Sequence, residues 1–103
     1  ENVWIDNLGQ VTLGNHCCLS QGALLLCGNH NFKKATFDLM VSDIVLDDGV
    51  WICARANVGP GVTCNSHSVL AMGSNATTDL EAWMIHQGNP ASAKAKRNFH
   101  ALC

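Results

Sequence analysis

"LDDGVW ICARAN VGPGVT CNSHSV LAMGSN ATTDLE", residues 46–81, divides into six blocks of six. The first place holds Leu46, Ile52, Val58, Cys64, Leu70 and Ala76, all apolar. In a chain that is 48% apolar this has a chance of about one in a hundred for a chosen register, so the first place alone does not establish the period. The other places add to it. The fifth holds Val50, Ala56, Val62, Ser68, Ser74 and Leu80, mostly small, and the second holds Asp47, Cys53, Gly59, Asn65, Ala71 and Thr77, all short. The same register returns upstream in LGNHCC, LSQGAL and LLCGNH, led by Leu13, Leu19 and Leu25.

A period of six suits neither an amphipathic helix nor an alternating strand joined by ordinary hairpins. It suits a coil of three short flat faces, with an aliphatic side chain entering the interior from each face and a small residue near each corner, where stacked turns leave little room. The competing reading is a β-sandwich or α/β domain with turns at that spacing. Such folds would show Gly/Pro-rich turns or helical patterns in place of a sustained period of six.

A length of 103 residues fits one domain. Six Lys and Arg against eight Asp and Glu give a net charge of −2, which offers no basic footprint for nucleic acid or an anionic membrane. The apolar runs ALLLC and WICA are far shorter than the ~20 residues of a spanning helix. The first residue is Glu1, so a partial gene product lacking early coils and any targeting signal is expected. The six cysteines admit a disulfide scaffold. However, Cys17, Cys53 and Cys64 fill repeat slots held elsewhere by small apolar residues, and Cys17 adjoins Cys18. Reduced, buried thiols and a cytoplasmic setting are therefore expected.

Between the two blocks of sixes the rhythm fails. Residues 29–43 are polar and out of register, and His30 stands at the break. Insertions in a coil of repeats fall on one face, often the binding face. With that loop in place, "IVLDDGVWICARANVGPGVT", "LAMGSNATTD" and "GNPA" together resemble the hexapeptide-repeat acyltransferases. The likeness is greatest to colanic-acid-type O-acetyltransferases and extends to galactoside, maltose and xenobiotic acetyltransferases. It spans residues 2–97 in the order coils, histidine loop, coils, GNPA and basic tail.

The resemblance implies a left-handed parallel β-helix over residues 1–90 and a short helical tail over 91–103, assembled as a trimer. It implies acetyl transfer from coenzyme A to an alcohol, with His30 as general base and no metal. Imidazole titrates near neutral pH and can take the hydroxyl proton as the oxygen attacks a thioester. A covalent route through Cys27, three residues before His30, is the lesser reading. The cofactor positions carried over are Trp51 and Ala54 near the thioester, Met72, Thr77 and Thr78 along the pantetheine arm, and Lys94, Lys96 and Arg97 near the phosphates. The basic cluster has its own warrant, because three of the six cations fall within four residues; equally, ASAKAKRNFHAL reads as a solvated helix capping the coil.

This chain departs from the family pattern at Met72, where a small residue is usual, at Thr78, where lysine is usual, and at Ser92, where a base is usual. Each departure weakens the expected grip on coenzyme A. The segment NVWIDN matches an acceptor-lining stretch, which makes Asn2, Asp6 and Asn7 candidates for bonds to a sugar hydroxyl; local turn bonding explains them as well. Phe32 and Phe37 are candidates for stacking on a ring. The acceptor is read as a sugar or polysaccharide precursor, alternatively an antibiotic. A γ-type carbonic anhydrase would need three converging histidines, for which His30, His67 and His86 lack the paired spacing. A non-catalytic β-helical trimer is the remaining alternative.

Overall fold

Each block of six bends the chain once. The computed structural model describes residues 3–6, 9–30 and 39–98. At the bends, the second-place carbonyl accepts a hydrogen bond from the fifth-place N–H, as in Cys53 to Ala56 (3.1 Å), Asn65 to Ser68 (3.0 Å) and Ala71 to Ser74 (3.1 Å). The fourth-place residue between them takes positive φ: Gly49 69°, Arg55 58°, Gly61 75°, His67 58° and Gly73 71°. Such a turn requires a left-handed residue at its third position, which explains three glycines among five sites.

The strands are β1 (Trp4–Asp6), β2 (Val11–Leu13), β3 (Cys18–Leu19), β4 (Leu24–Leu26), β5 (Gly28–His30), β6 (Leu39–Val41) and β7 (Ile44–Leu46). They continue as β8 (Trp51–Ile52), β9 (Asn57–Val58), β10 (Thr63–Cys64), β11 (Val69–Leu70), β12 (Asn75–Ala76), β13 (Met84–Gly88) and β14 (Ala91–Lys96). Sheet A runs β1-β4-β9-β12, sheet B β10-β7-β2 and sheet C β14-β13-β11-β8-β3, with β5-β6 apart as a hairpin. Successive strands visit B, C and A in rotation and pair in parallel with the strand one turn earlier: Leu46 with Cys64, Ile52 with Leu70, Val58 with Ala76. The chain is thus an all-β coil of three parallel sheets, as the period of six requires.

The register also measures the interruptions. Leu13 pairs with Leu46, Leu19 with Ile52 and Leu25 with Val58, each thirty-three residues apart where an uninterrupted turn takes eighteen. The excess of fifteen is the excursion. It leaves the coil one residue before the expected position 29, because Gly28 pairs antiparallel with Val41 in the β5–β6 hairpin. A second irregularity corrects the block ATTDLE. Leu80 bridges to Cys64 and His86 pairs with Leu70, sixteen residues on, so this turn is two residues short. Leu80 is an interior first-place residue at 1% exposure, and not the corner residue the reading in sixes expects.

Inside the coil, Leu25, Leu46, Ile52, Val58, Cys64 and Leu70 form ladders at 0–1% exposure, with Ala23, Val50, Ala56 and Val62 at the corners beside them. Cys64 is buried as expected, whereas Cys17 and Cys53 are half-buried because they sit toward the turns. The four cysteines Cys17, Cys27, Cys53 and Cys64 are free thiols. Cys18 is an exception to the expected reduced set: it is disulfide-bonded.

The tail corrects a further expectation. Residues 91–96 are the strand β14, antiparallel to β13 after a cis Asn89–Pro90 peptide, and not a helix. Alanine's helix propensity suggested the helix, yet Ala-Ser-Ala-Lys-Ala-Lys alternates with period two, and an open sheet edge on β13 is there to accept it. Ala91 is buried while Ser92, Lys94 and Lys96 are exposed. No helix among the described residues is long and apolar enough to cross a membrane.

Candidate active site

The excursion begins where a corner fails to form. Gly28 occupies a fourth place of the repeat, yet here the chain runs straight on as β5 and returns as β6, with Ser42 N–H bonding back to the Cys27 carbonyl (2.9 Å). His30 is the last residue of β5, opposite Leu39 in the hairpin register. A short two-stranded stem therefore holds the His30 backbone immediately beside the coil. Cys27, one residue before that stem, is fully buried, with its sulfur 3.9 Å from the Gln10 carbonyl, so it presents no thiol to a substrate. Asn2, Asn7, Phe32 and Phe37 lie outside the described residues, as does the side chain of Asp6, whose backbone belongs to β1.

The sequence-derived cofactor residues fall on different parts of the coil. Ala54 and Met72 share the corner between sheets C and A, one turn apart, with Gly73 N–H bonded to the Ala54 carbonyl (3.0 Å). Met72 is 72% exposed there. Trp51 precedes this corner on sheet C, half-buried, its Nε1 donating to Ser20 Oγ (2.8 Å). Thr77 and Thr78 are exposed on the shortened corner beyond sheet A. Lys94 and Lys96 lie on β14, and Arg97 follows it. The structure therefore brings Trp51, Ala54 and Met72 onto neighbouring elements, and leaves the threonines on another corner and the two lysines on the edge strand of sheet C.

Arg97 has a structural task. Its Nη1 donates to the carbonyls of Gly49 (2.7 Å) and His67 (3.2 Å), and its backbone N–H to the carbonyl of Trp83 (2.8 Å). These are turn carbonyls of three successive coils on the corner between sheets B and C. Sequence reasoning missed this corner as a unit, although its signal was present: the fourth-place positions His16, Gly49, His67 and Trp83 stack there. The rings of His67 and Trp83 lie 4.1 Å apart at 7°.

The two histidines set aside in the sequence have structural surroundings. His86 stands in an interior slot at 3% exposure, where Nε2 accepts from the Glu81 N–H (2.9 Å) and Nδ1 lies 3.3 Å from the Val69 carbonyl. That pair of partners selects the neutral tautomer with the proton on Nδ1. His67 Nδ1 is 3.1 Å from Ser66 Oγ. Among the described residues no cluster of three or more metal-ligating side chains occurs. Burial pushes the thiol of Cys64 up to about 12 and raises those of Cys17 and Cys53, the latter opposed by nearby Arg97, so all three stay protonated at neutral pH and unsuited to nucleophilic attack.

The two kinds of corner predict different tolerance to a methyl group. A Cβ at Gly73 (φ 71°) meets nothing within 4 Å, whereas one at Gly49 (φ 69°) runs into His67 Cδ2. Gly73→Ala should cost about 1 kcal/mol of backbone strain, and Gly49→Ala about 2–4 kcal/mol, because the overlap with the ring adds to the same strain. Urea denaturation of both variants checks the difference; equal losses would mean that the His67 ring yields freely.

No protein-family model matches the chain. It is 31% identical over 91 residues, 88% of its length and 50% of the relative's, to WcaF of Escherichia coli (strain K12), a candidate colanic acid biosynthesis acetyltransferase. To a chloramphenicol acetyltransferase of Agrobacterium fabrum (strain C58) it is 27% identical, covering 89% of this chain and 54% of the other. The chain thus spans about half the length of the curated relatives it matches. Among solved structures, a galactoside acetyltransferase in complex with coenzyme A superposes with TM-score 0.87 at 23% identity, covering 93% of this chain and 50% of that one. A hexapeptide-repeat acetyltransferase of Vibrio cholerae O1 biovar eltor, complexed with acetyl coenzyme A, superposes with TM-score 0.72 at 18% identity, covering 94% and 66%. Over most of its length the chain is similar in sequence to curated acetyltransferases, and in fold it is similar to the hexapeptide-repeat acetyltransferases.

Proposed function

We propose that this chain forms the coil of an acetyl-coenzyme A-dependent O-acetyltransferase, with a sugar or polysaccharide-precursor hydroxyl as acceptor. The observation that carries the reading is the position of His30: in a chain similar to acetyltransferases, an excursion between coils has a histidine at the end of its stem beside the scaffold. Acetyl-coenzyme A, when bound, supplies the acetyl group as a thioester. The His30 imidazole takes the proton from the acceptor hydroxyl as its oxygen attacks, and returns that proton to the departing sulfur, so no covalent enzyme intermediate is needed. Asn2, Asp6 and Asn7 bond the acceptor.

The chemistry of the exposed residues fits the donor. Trp51, Ala54 and an outward Met72 offer an apolar strip for the pantetheine arm, Thr77 and Thr78 offer hydroxyls, and Lys94 and Lys96 offer cations to phosphate. Arg97, committed to turn carbonyls, holds the corner and adds charge. The coil winds left-handed as a parallel β-helix and assembles as a homotrimer, which covers Trp51 and Met72 and forms the groove between subunits. The four free thiols favour a cytoplasmic setting, and the Cys18 disulfide speaks against it. An antibiotic acceptor is the second reading, favoured by the similarity to chloramphenicol acetyltransferases.

Calorimetry at low and high salt, on material sized by light scattering, tests the donor site. Coenzyme A should bind to a species of three chains and bind severalfold more weakly at high salt, since the lysines are solvent-exposed. No binding at millimolar ligand, or binding by a strict monomer, would favour the non-catalytic reading.

A further inference from the structure

Positive φ is costly for a bulky residue, and in this coil the bulky residues that adopt it gather on one corner. Among the described residues, the non-glycine residues with positive φ are His16, His67 and Trp83 on the corner between sheets B and C, and Arg55 on the corner between sheets C and A. Gly49, within the same column, leaves the space into which the His67 ring settles. His67 in turn stacks on Trp83, and Ser66 Oγ meets His67 Nδ1. Arg97 then ties the column together through three carbonyls. The result is a rigid aromatic rib whose last ring, Trp83, remains 37% exposed although glycine or asparagine would satisfy the turn more cheaply.

Cations surround the same end. Lys96 pairs in register with Met84, the residue after Trp83, and Arg97 follows it. Lys94 stands at the register shift opposite Ile85/His86. Both lysines are exposed, and among the described residues neither has an ion-pair partner. A fixed indole beside unpaired ammonium groups matches a ligand that joins a flat π-system to phosphate.

We propose that Trp83, backed by His67 and flanked by Lys96, is a base-stacking ledge for a purine nucleotide. This rests on the donor reading only in naming the nucleotide, the adenosine 3′,5′-bisphosphate portion of coenzyme A. The indole lies against the base, and Lys96 with Lys94 faces the phosphates. Arg97 acts as a positioning residue by fixing the turns that hold both rings.

The test is calorimetric titration of the intact chain with adenosine 3′,5′-bisphosphate alone, beside coenzyme A. The nucleotide should bind by itself. Trp83→Gly should weaken it roughly five- to a hundredfold, the usual worth of one base–aromatic stack, while thermal stability stays close to the parent because glycine is at ease at this φ. Lys96→Ala, a change on an exposed strand position, should weaken it about two- to tenfold and flatten its salt dependence. Binding of coenzyme A without binding of the nucleotide, or unchanged nucleotide affinity in Trp83→Gly, would overturn the ledge and leave the donor reading standing. Nucleotide binding lost in Trp83→Gly, in a chain that never transfers acetyl, would support the ledge and remove the transferase reading.

Discussion

His30→Ala should lower acetyl transfer by roughly 10²–10⁴, the contribution of a positioned acid–base group, and leave the fold and coenzyme A affinity nearly unchanged. The expectation follows from location. His30 lies on the stem of the excursion, outside the parallel ladders that build the coil. The rate of the unmodified protein should fall as pH drops through the range in which imidazole gains a proton, because only the neutral ring can accept one. That acid limb should vanish in the variant. His86→Asn serves as the control: His86 is held by a backbone donor and a carbonyl inside the coil, so its loss should appear in stability before catalysis. Steady-state rates on a panel of sugars and amphenicol-type alcohols would name the acceptor as well. Full activity in His30→Ala would end the proposed mechanism while leaving the coil untouched.

Leu70→Ala should cost about 2–5 kcal/mol, the range for truncating a buried leucine that leaves a cavity. Leu70 is fully buried and stands between Ile52 and His86 in one interior ladder. In a coil each turn touches only its neighbours, so the loss falls on the single interface joining β13 and β14 to the turns before them. Hydrogen exchange should show protection lost first in residues 84–96, with residues 44–58 less affected. A loss under 1 kcal/mol in urea denaturation would mean that the turns are not coupled through this ladder.

The coil was legible because its cause is local. Leu46, Ile52, Val58, Cys64 and Leu70 recur at the spacing that the corners impose, and the structure buries all of them. Leu80 was misassigned because a turn two residues short leaves no mark in composition; the Cys64 bridge and the His86–Leu70 register reveal it. The tail misled for a related reason. Alanine favours a helix in isolation, and the edge of β13 that recruits residues 91–96 is a tertiary partner absent from a local reading. The aromatic rib was hidden because its members lie sixteen to thirty-three residues apart and become a column only once the turns are stacked. The excursion, by contrast, announced itself as a failure of rhythm beside His30, and the register starts its stem at Gly28, one residue before the expected position 29.

Strand β14 also governs what the coil can do to its neighbours. Parallel sheets that end in bare backbone are templates, able to recruit a strand from another molecule and seed a fibre. On sheet C the outermost strand runs against the others, is thrown out of step at Ile85/His86, and places Lys94 and Lys96 on its exposed positions. An incoming strand meets reversed polarity, a local kink and two ammonium groups, each of which discourages pairing. The cations that make this end attractive to a phosphate are thus the ones that keep it from polymerising, and neutralising both lysines would be expected to trade solubility for self-association.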